Sequence, residues 1–331
     1  MSSYEPPYTI SNKMLELVSD ISEKVGQITT HRELESKPHL RKNNRIRSIH
    51  SSLKIEANSL SLSNVRDVIN GHMVLGDRIE IQEVKNAYLA YSKIPEINPS
   101  CMADLKRLHG IMTNGIIDES GKFRGGNEGM FAGDKCIFIA PPPDMVNNLM
   151  EDLLLWVREN EGKVHPLIMA AVFHYEFVFI HPFSDGNGRM ARLWHTVFLY
   201  RWRNVFEFIP LESQIEHFQD EYYDAIAKCH VNGNSDVFIE FMLKMINQVL
   251  DEVIIQIKKS NMENSEYVNH LLEVMEYDVP YTSNTIMELL GLKSKETLRK
   301  NYLNPAMEAG LVRMTLPDKP NSRNQRYIKI G

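Results

Sequence analysis

The stretch HPFSDGNGRMAR, from His181 to Arg192, decides the fold and the chemistry expected of this 331-residue sequence. The residues before it, 167–180, are apolar on nearly every face, which predicts a buried helix. Helical spacing of apolar residues resumes at Met190. The stretch therefore predicts a tight loop that follows one helix and opens the next.

The composition of this loop suits a polyphosphate. Gly186 and Gly188 flank Asn187 and permit left-handed backbone conformations. Successive N–H groups can then converge at a helix N-terminus, where the helix dipole also favours an anion. Arg189 and Arg192 lie three residues apart, so both guanidinium groups can face one ligand.

Two further side chains add chemistry to the loop. Asp185 offers a hard oxygen where a phosphate-bound Mg²⁺ would lie, because Mg²⁺ takes one or two carboxylates together with phosphate oxygens. His181 stands at the entrance and can act as a base near neutral pH. The loop therefore predicts a base and a metal ligand beside an anion site.

The stretch fits the signature His-x-Phe-x-(Asp/Glu)-Gly-Asn-Gly-Arg-x-x-Arg at every defined position, and so it resembles the Fic family. The resemblance implies a mainly α fold and an enzyme, a protein adenylyltransferase that moves AMP from ATP, with Mg²⁺, to a Ser, Thr or Tyr hydroxyl of a target protein or of itself. His181 would then be the general base, and Asp185 would bind Mg²⁺. The implied nucleotide-binding residues are Gly186, Asn187, Gly188, Arg189 and Arg192, with the pair Tyr222-Tyr223 and Asn232 resembling positions that line the adenine pocket. Doc-type kinases carry Lys at the position of Gly188, so adenylyl transfer fits better.

A short β-type run from Cys136 to Ile139, followed by three prolines, predicts a small exposed hairpin. Beside a Fic loop it resembles the Fic flap, which clamps a target segment by strand addition. The residues implied for this contact are Ile137, Phe138 and Ile139.

An upstream helix carries Ser52 and Glu56, which are four residues apart and so share one face. Taken alone, they describe a capped helix with a solvated carboxylate. Beside a Fic core they resemble the inhibitory motif (Ser/Thr)-x-x-x-Glu-(Gly/Asn), although Ala57 stands where Gly or Asn is usual. The resemblance implies autoinhibition, in which Glu56 competes with the γ-phosphate for Arg192.

Three domains are expected from these segments. Residues 1–95 form an N-terminal helical region with the inhibitory motif, residues 96–259 form the Fic catalytic core, and residues 262–331 resemble a winged helix-turn-helix. In the last domain, helices are expected over 285–290, 295–303 and 305–310, followed by a hairpin of 311–316 with 325–330. From Gly291 onward the sequence contains nine Lys/Arg and three Asp/Glu, which gives a local charge of +6. This charge favours DNA binding or a protein contact.

Composition limits the remaining possibilities. The net charge of −6 argues against coating of nucleic acid by the whole chain. The sequence contains no run of 18 apolar residues, so a membrane span is not expected. Three widely spaced cysteines and no signal peptide indicate a reducing, cytoplasmic location.

Several alternatives stay open at this point. The same residues could remove AMP, with Glu56 orienting a water, or could serve both directions. The chain could instead be a DNA-binding regulator whose Fic core senses nucleotide. Fic relatives also use UTP, GTP or CDP-choline, so the donor nucleotide, the target and any homo-oligomer remain open.

Overall fold

The structure is a computed structural model that describes residues 4–30, 38–132, 135–261, 266–320 and 322–330. Within these residues the protein is mainly helical, which confirms the predicted fold class. The chain divides into two compact units, one comprising Met1–Thr29 with Asn44–Leu250 and the other Thr30–Asn43 with Asp251–Gly331. The three predicted domain boundaries stay a prediction.

The helices up to residue 261 follow the apolar periodicity of the sequence. They are α1 (Asn12–Thr30), α2 (Pro38–Ile55), α3 (Leu62–Ile69), α4 (Arg78–Ser92), α5 (Met102–Met112), α6 (Pro143–Asn160), α7 (Pro166–Ile180), α8 (Asn187–Trp202), α9 (Leu211–His217), α10 (Gln219–Asn232) and α11 (Asp236–Asn261). Two 3₁₀ turns, Ile94–Glu96 and Asn204–Phe208, lie between α4 and α5 and between α8 and α9. Among the described residues, none of the helices is both long and apolar enough to cross a membrane.

Side-chain caps fix where several of these helices begin. Ser61 accepts the Asn64 N–H at the start of α3, and Asp77 accepts the Ile79 N–H at the start of α4. At the start of α7, His165 Nδ1 accepts the Leu167 N–H at 3.2 Å, because Pro166 has no N–H.

The pair α7 and α8 forms the centre of the first unit. α7 is buried on nearly every face, as its sequence predicted, and α8 packs along it. The Phe173 ring of α7 lies 5.1 Å from the Phe198 ring and 6.3 Å from the Trp194 ring of α8, measured between centroids. The loop between the two helices is therefore held by a rigid, apolar pair.

The predicted hairpin is present as β1 (Gly129–Ala132) paired antiparallel with β2 (Lys135–Ile139). Gly129 lies opposite Ile139, and the register shifts by a bulge after Met130. The side chains of residues 130–137 lie outside the described part of the structure, and this includes the predicted flap residue Ile137.

The second unit contains a small three-stranded antiparallel sheet in the order β3-β5-β4. Its elements are α12 (Glu266–Val274), β3 (Pro280–Tyr281), α13 (Ser283–Leu290), α14 (Lys295–Thr297), a π-helix (Leu298–Leu303), α15 (Asn304–Glu308), β4 (Val312–Met314) and β5 (Tyr327–Lys329). The hairpin predicted after residue 311 is confirmed by β4 and β5. The winged-helix assignment and DNA binding stay predictions.

The third helix expected for this unit has slightly different bounds. It begins at Asn304 with Pro305 in its first turn and ends at Glu308, and α14, the π-helix and α15 follow one another without a break. Proline removes one backbone donor and clashes with a normal helical turn, and the wider π-turn before it accommodates both effects.

The positive charge of the second unit is not all on its surface. Arg299, Lys300 and Arg326 are exposed, but Lys329 is 5% exposed. The Lys329 ammonium donates to the Leu272 carbonyl at 2.6 Å and lies 4.2 Å from the centre of the Tyr277 ring. Lys329 therefore stabilises the unit and does not add to a nucleic-acid surface.

Candidate active site

The predicted loop connects the end of α7 to the start of α8. His181 follows α7 in the left-handed conformation with φ of 52°, and its N–H donates to the Phe177 carbonyl. α8 begins at Asn187, directly after Gly186, whose φ of 80° is also left-handed. A Cβ at Gly186 would lie 3.1 Å from the Thr113 methyl carbon, so both backbone and packing favour glycine there.

The Asn187 side chain closes the loop on itself. Its Oδ1 accepts the Phe183 N–H at 3.0 Å, and its Nδ2 donates to the Phe183 carbonyl at 2.7 Å. Both residues are buried. The amide is thus committed to the shape of the loop, and the anion donors that remain are main-chain N–H groups in the first turn of α8.

His181 has the geometry of a neutral base. Its Nδ1 lies 3.3 Å from the Val178 carbonyl oxygen, which can only accept, so Nδ1 carries the proton. Burial lowers the pKa of His181 below its ordinary value, and the bond to Val178 opposes that shift. At neutral pH the ring is therefore uncharged and Nε2 keeps a lone pair for a proton.

Arg189 lies buried between two carboxylates. Its Nη2 donates to Asp185 Oδ2 at 2.7 Å, and its Nη1 donates to Glu83 Oε1 of α4 at 2.7 Å. The other oxygen of Glu83 accepts from Asn58 Nδ2 at 2.8 Å. Glu83 was not predicted as a site residue, yet it neutralises one of the two loop arginines and links the loop to the segment after α2.

The Asp185 carboxylate fits one Mg²⁺ contact. Its Oδ1 accepts the Gly186 N–H at 2.6 Å and its Oδ2 accepts from Arg189, while the side chain stays 49% exposed, so lone pairs remain for a cation. Across the described residues, no group of three or more His, Cys, Asp or Glu side chains could hold a metal. A single accessible carboxylate suits Mg²⁺, whose other ligands are commonly phosphate oxygens and waters.

Arg192 is held by the two residues of the predicted inhibitory motif. Its Nε donates to Ser52 Oγ at 3.1 Å, and its Nη2 donates to the Ser52 carbonyl at 2.9 Å and to Glu56 Oε1 at 2.7 Å. Burial by itself lowers the pKa of Arg192, but the ion pair with Glu56 outweighs it and the net direction is upward. The structure thus brings together three residues separated by up to 140 positions.

Glu56 occupies the N-terminal end of α8. A Cβ built on Gly188 would overlap Glu56 Oε1 and lie 3.2 Å from Arg192 Nη1, so only glycine permits the carboxylate to come this close. The Glu56 side chain keeps 34% exposure. An anion therefore already lies where the sequence predicted an anion site.

The end of α2 positions Glu56 by a Schellman motif. The Asn58 N–H donates to the Leu53 carbonyl at 3.1 Å, and the Ala57 N–H donates to the Lys54 carbonyl at 3.0 Å. Ala57 has φ of 66°, a left-handed value that costs an L-residue about 1–2 kcal/mol. The unusual alanine therefore adopts the backbone that glycine favours, at a cost in strain.

His109, on α5, supports the loop through both ring nitrogens and was not predicted. Its Nδ1 accepts the Gly121 N–H at 2.9 Å, so Nε2 carries the proton and donates to the Asp185 carbonyl at 3.0 Å. The ring stacks on Phe183 with centroids 3.6 Å apart. Burial, the largest influence, lowers the pKa of His109 to about 4.

Replacing His109 by glutamine is expected to weaken the acid sensitivity of folding. The unfolded chain takes up a proton at His109 near pH 6.5 and the folded chain only near pH 4, so this stabilisation is complete above pH 6.5 and is lost as the pH falls toward 4. The limiting slope is about 1.4 kcal/mol per pH unit for one proton. Urea unfolding at pH 7, 6 and 5 measures it, with exposed His217→Gln as the control. Equal pH slopes for wild type and His109→Gln would contradict this role.

The predicted flap is anchored at its base by Phe138. The Phe138 ring stacks on His230 of α10 with centroids 4.2 Å apart and lies 5.7 Å from the Phe179 ring of α7. Ile139 is 69% exposed. One flap residue is therefore a packing anchor and the next is open to a partner, while the Ile137 side chain is outside the described residues.

The two downstream nucleotide-binding candidates lie in different surroundings. Tyr222 is 2% exposed, and its hydroxyl lies 2.9 Å from His174 Nε2 inside the unit. Tyr223 is 41% exposed, and Asn232 is exposed as the last residue of α10. Of the tyrosine pair, only Tyr223 is open to a ligand, and an adenine contact by Tyr222 or Asn232 stays a prediction.

These features define a helical protein with a candidate anion-binding loop, and comparison with known proteins shows which family it represents. Residues 99–199 match the Fic/DOC family, and residues 266–328 match the domain described as filamentation induced by cAMP protein Fic-like, C-terminal domain. A crystal structure of a Fic family protein from Desulfovibrio desulfuricans G20 is 40% identical, with 99% of each chain covered and a TM-score of 0.74. The chain belongs to the Fic family.

Curated relatives resemble a part of their own length. The protein adenylyltransferase Fic of Aedes aegypti is 29% identical and that of Culex quinquefasciatus 30% identical, each over 215 residues. The match covers 62% of this chain and 41% of each relative. The chain therefore spans less than half the length of these relatives. Fic-1 from Caenorhabditis elegans shares the fold, with a TM-score of 0.61 at 24% identity over 75% of this chain and 73% of that one.

Proposed function

We propose that this protein is an adenylyltransferase that moves AMP from ATP to a hydroxyl of a target protein, or of itself. The observation that carries the proposal is one loop that holds an uncharged His181, an accessible Asp185 carboxylate and a helix N-terminus with two buried guanidinium groups. The relatives named protein adenylyltransferase Fic support the same activity.

The reaction follows from the position of each group. His181 Nε2 accepts the proton of the target hydroxyl, whose oxygen attacks the α-phosphorus as the bond to the β-phosphate bridging oxygen breaks and pyrophosphate leaves. The N–H groups of Asn187 and Gly188 hold the α- and β-phosphates with support from Arg189, and Arg192 holds the γ-phosphate. Asp185 would hold Mg²⁺, which neutralises phosphate charge when it is bound.

The same proposal includes autoinhibition. Glu56 pairs with Arg192, so it competes with the γ-phosphate for that guanidinium, and it also lies against Gly188, beside the position proposed for the α- and β-phosphates. ATP that enters beside Glu56 would take a pose in which the α-phosphate is not aligned with the incoming hydroxyl, and in-line transfer is sensitive to such misplacement. The resting enzyme is therefore expected to be slow.

The test is incubation of the Glu56→Gly protein with ATP, UTP, GTP and CTP, each labelled at the α-phosphate. Label from ATP that enters protein in a form resistant to denaturation supports the proposal. If label enters protein only from UTP, GTP or CTP, that nucleotide is the donor in place of ATP. No label from any of them, combined with loss of AMP from a modified protein in the presence of the wild-type chain, which keeps Glu56, would favour the reverse reaction.

Asp185→Asn is expected to shift the Mg²⁺ dependence of the Glu56→Gly enzyme by at least about tenfold, because it removes the charged oxygen that binds the cation. The same change also weakens the contact with Arg189. Glu83→Gln is the matched control, because it loosens the other pair of Arg189 and leaves the Asp185 carboxylate unchanged.

The measurement is the initial rate of transfer at graded Mg²⁺ concentrations. A metal titration curve shifted in the Asp185 variant and unshifted in the Glu83 variant assigns the metal to Asp185. Equal curves in both variants, or full activity in excess chelator, would rule out the assignment.

A further inference from the structure

Arg124, which precedes the hairpin, binds the main chain of the loop that carries His181. Its side chain is 3% exposed, and its Nε donates to the His181 carbonyl at 2.6 Å. Its Nη2 lies 3.3 Å from the Ile180 carbonyl, and its own N–H donates to the Pro182 carbonyl at 2.9 Å. Three successive carbonyls around the candidate base therefore accept from one residue.

The same guanidinium also binds both ends of the hairpin. Its Nη1 donates to the Gly126 carbonyl before β1 at 2.7 Å, and its Nη2 donates to the Pro141 carbonyl after β2 at 2.6 Å. Between these points, the Ala140 N–H donates to the Glu128 carbonyl at 3.0 Å and closes the base of the hairpin. Arg124 thus joins the two strand ends to each other and to the loop.

Only arginine offers this set of contacts. A guanidinium presents five donors in a rigid plane, and here the contacts from its three nitrogens all go to neutral main-chain carbonyls. A lysine ammonium carries its donors on one atom and cannot reach carbonyls on opposite sides at once. Arg124 therefore fixes the position of the hairpin relative to the His181 loop, and it does so through carbonyls and not through an ion pair.

We propose that Arg124 is a positioning residue that holds the hairpin and the His181 loop in one register, so that a target strand added to the hairpin presents its hydroxyl to His181. This rests on the proposed function, in which His181 accepts the proton, and on the resemblance of the hairpin to the Fic flap, which holds a target segment by strand addition. A misplacement of about 1 Å between reacting groups costs on the order of 10² in rate, so a tie between these two segments controls transfer. The phosphate-binding groups on α8 do not contact Arg124 and keep their affinity.

Arg124→Met in the Glu56→Gly background tests the proposal, with the His181→Ala chain supplied as the protein acceptor. The apparent KM for this acceptor is expected to rise at least about tenfold and kcat to fall about tenfold, because the target hydroxyl and His181 are no longer held at a fixed relative position. The Kd for an ATP analogue should stay within about twofold. Arg124→Lys should resemble Arg124→Met, and exposed Arg107→Met should change nothing. A parallel loss of nucleotide affinity and transfer would overturn the proposal.

A second readout does not depend on transfer. The Arg124 cation is one of the influences that lower the pKa of His181, so in Arg124→Met the pKa of His181 should rise in an NMR titration. Hydrogen exchange at the Ala140 N–H should accelerate at least about tenfold. If no chain transfers AMP but both changes occur, the proposed function fails and the positioning role stands. Arg124→Lys keeps the positive charge, so its decisive readout is exchange. Unchanged exchange at the Ala140 N–H in a folded Arg124→Lys variant would refute the role even if Arg124→Met does not fold.

Discussion

Replacing His181 by alanine is expected to slow AMP transfer by a factor of about 10² to 10⁴ and to leave ATP binding nearly intact. His181 Nε2 is the proton acceptor in the proposed reaction, and the ring contacts the Val178 carbonyl, not a phosphate-binding group. The loop should keep its shape, because the Asn187 amide and the Phe183 main chain close it independently of the imidazole.

The measurement is label transfer from α-labelled ATP in the Glu56→Gly background, together with calorimetric titration of an ATP analogue. His217→Ala, at the exposed end of α9, is the control histidine. The role of His181 would be wrong if His181→Ala transferred label at the parental rate. A loss of transfer that tracks a loss of nucleotide affinity would also contradict it.

Glu56→Gly is expected to raise self-modification tenfold or more. Arg192 is buried and pairs with Glu56 at 2.7 Å, so removal of the carboxylate leaves the guanidinium for the γ-phosphate. About 1.4 kcal/mol of lost competition is enough for a factor of ten. Lys54→Gly is the matched control, because it places the same glycine in the last turn of α2 without removing a contact to Arg192.

A double-variant cycle tests whether this effect passes through Arg192. Arg192→Ala should lower activity by itself, and the Glu56 change should no longer activate in its presence. Initial rates for the four proteins give the coupling directly. Equal activation with and without Arg192, or no activation at all, would falsify the competition and leave the Glu56–Arg192 pair as a structural contact at a helix end.

The positions of the principal groups in the site could be predicted because they lie in two short segments. The spacing of the motif residues within the twelve positions from His181 to Arg192 is a local property, and the glycines of the loop imply left-handed backbone that the structure contains at Gly186. The family motif also linked Glu56 to Arg192 across the sequence, and the structure brings them together. The roles of these residues stay predictions until the variants are measured.

Glu83, His109 and Arg124 could not be predicted, for a common physical reason. Each acts through a contact with a segment far from it in sequence, and two of these contacts are to main-chain carbonyls, which any residue carries. A lone histidine on an apolar helix face gives no local sign that both nitrogens are bonded. The same limit applies to Tyr222, because aromatic spacing does not reveal which ring of a pair faces the core.

The burial of Arg192 also changes what it means for a nucleotide to bind. A guanidinium that is 2% exposed is costly without an anion, and in this structure Glu56 supplies one. In the proposed mechanism, arrival of the γ-phosphate is an exchange of one anion for another and not the filling of an empty charged site. The contribution of Arg192 to the free energy of nucleotide binding is then the difference between two similar ion pairs. In the structure Glu56 is therefore a built-in counterion for the buried Arg192, and in the proposed mechanism ATP has to displace it.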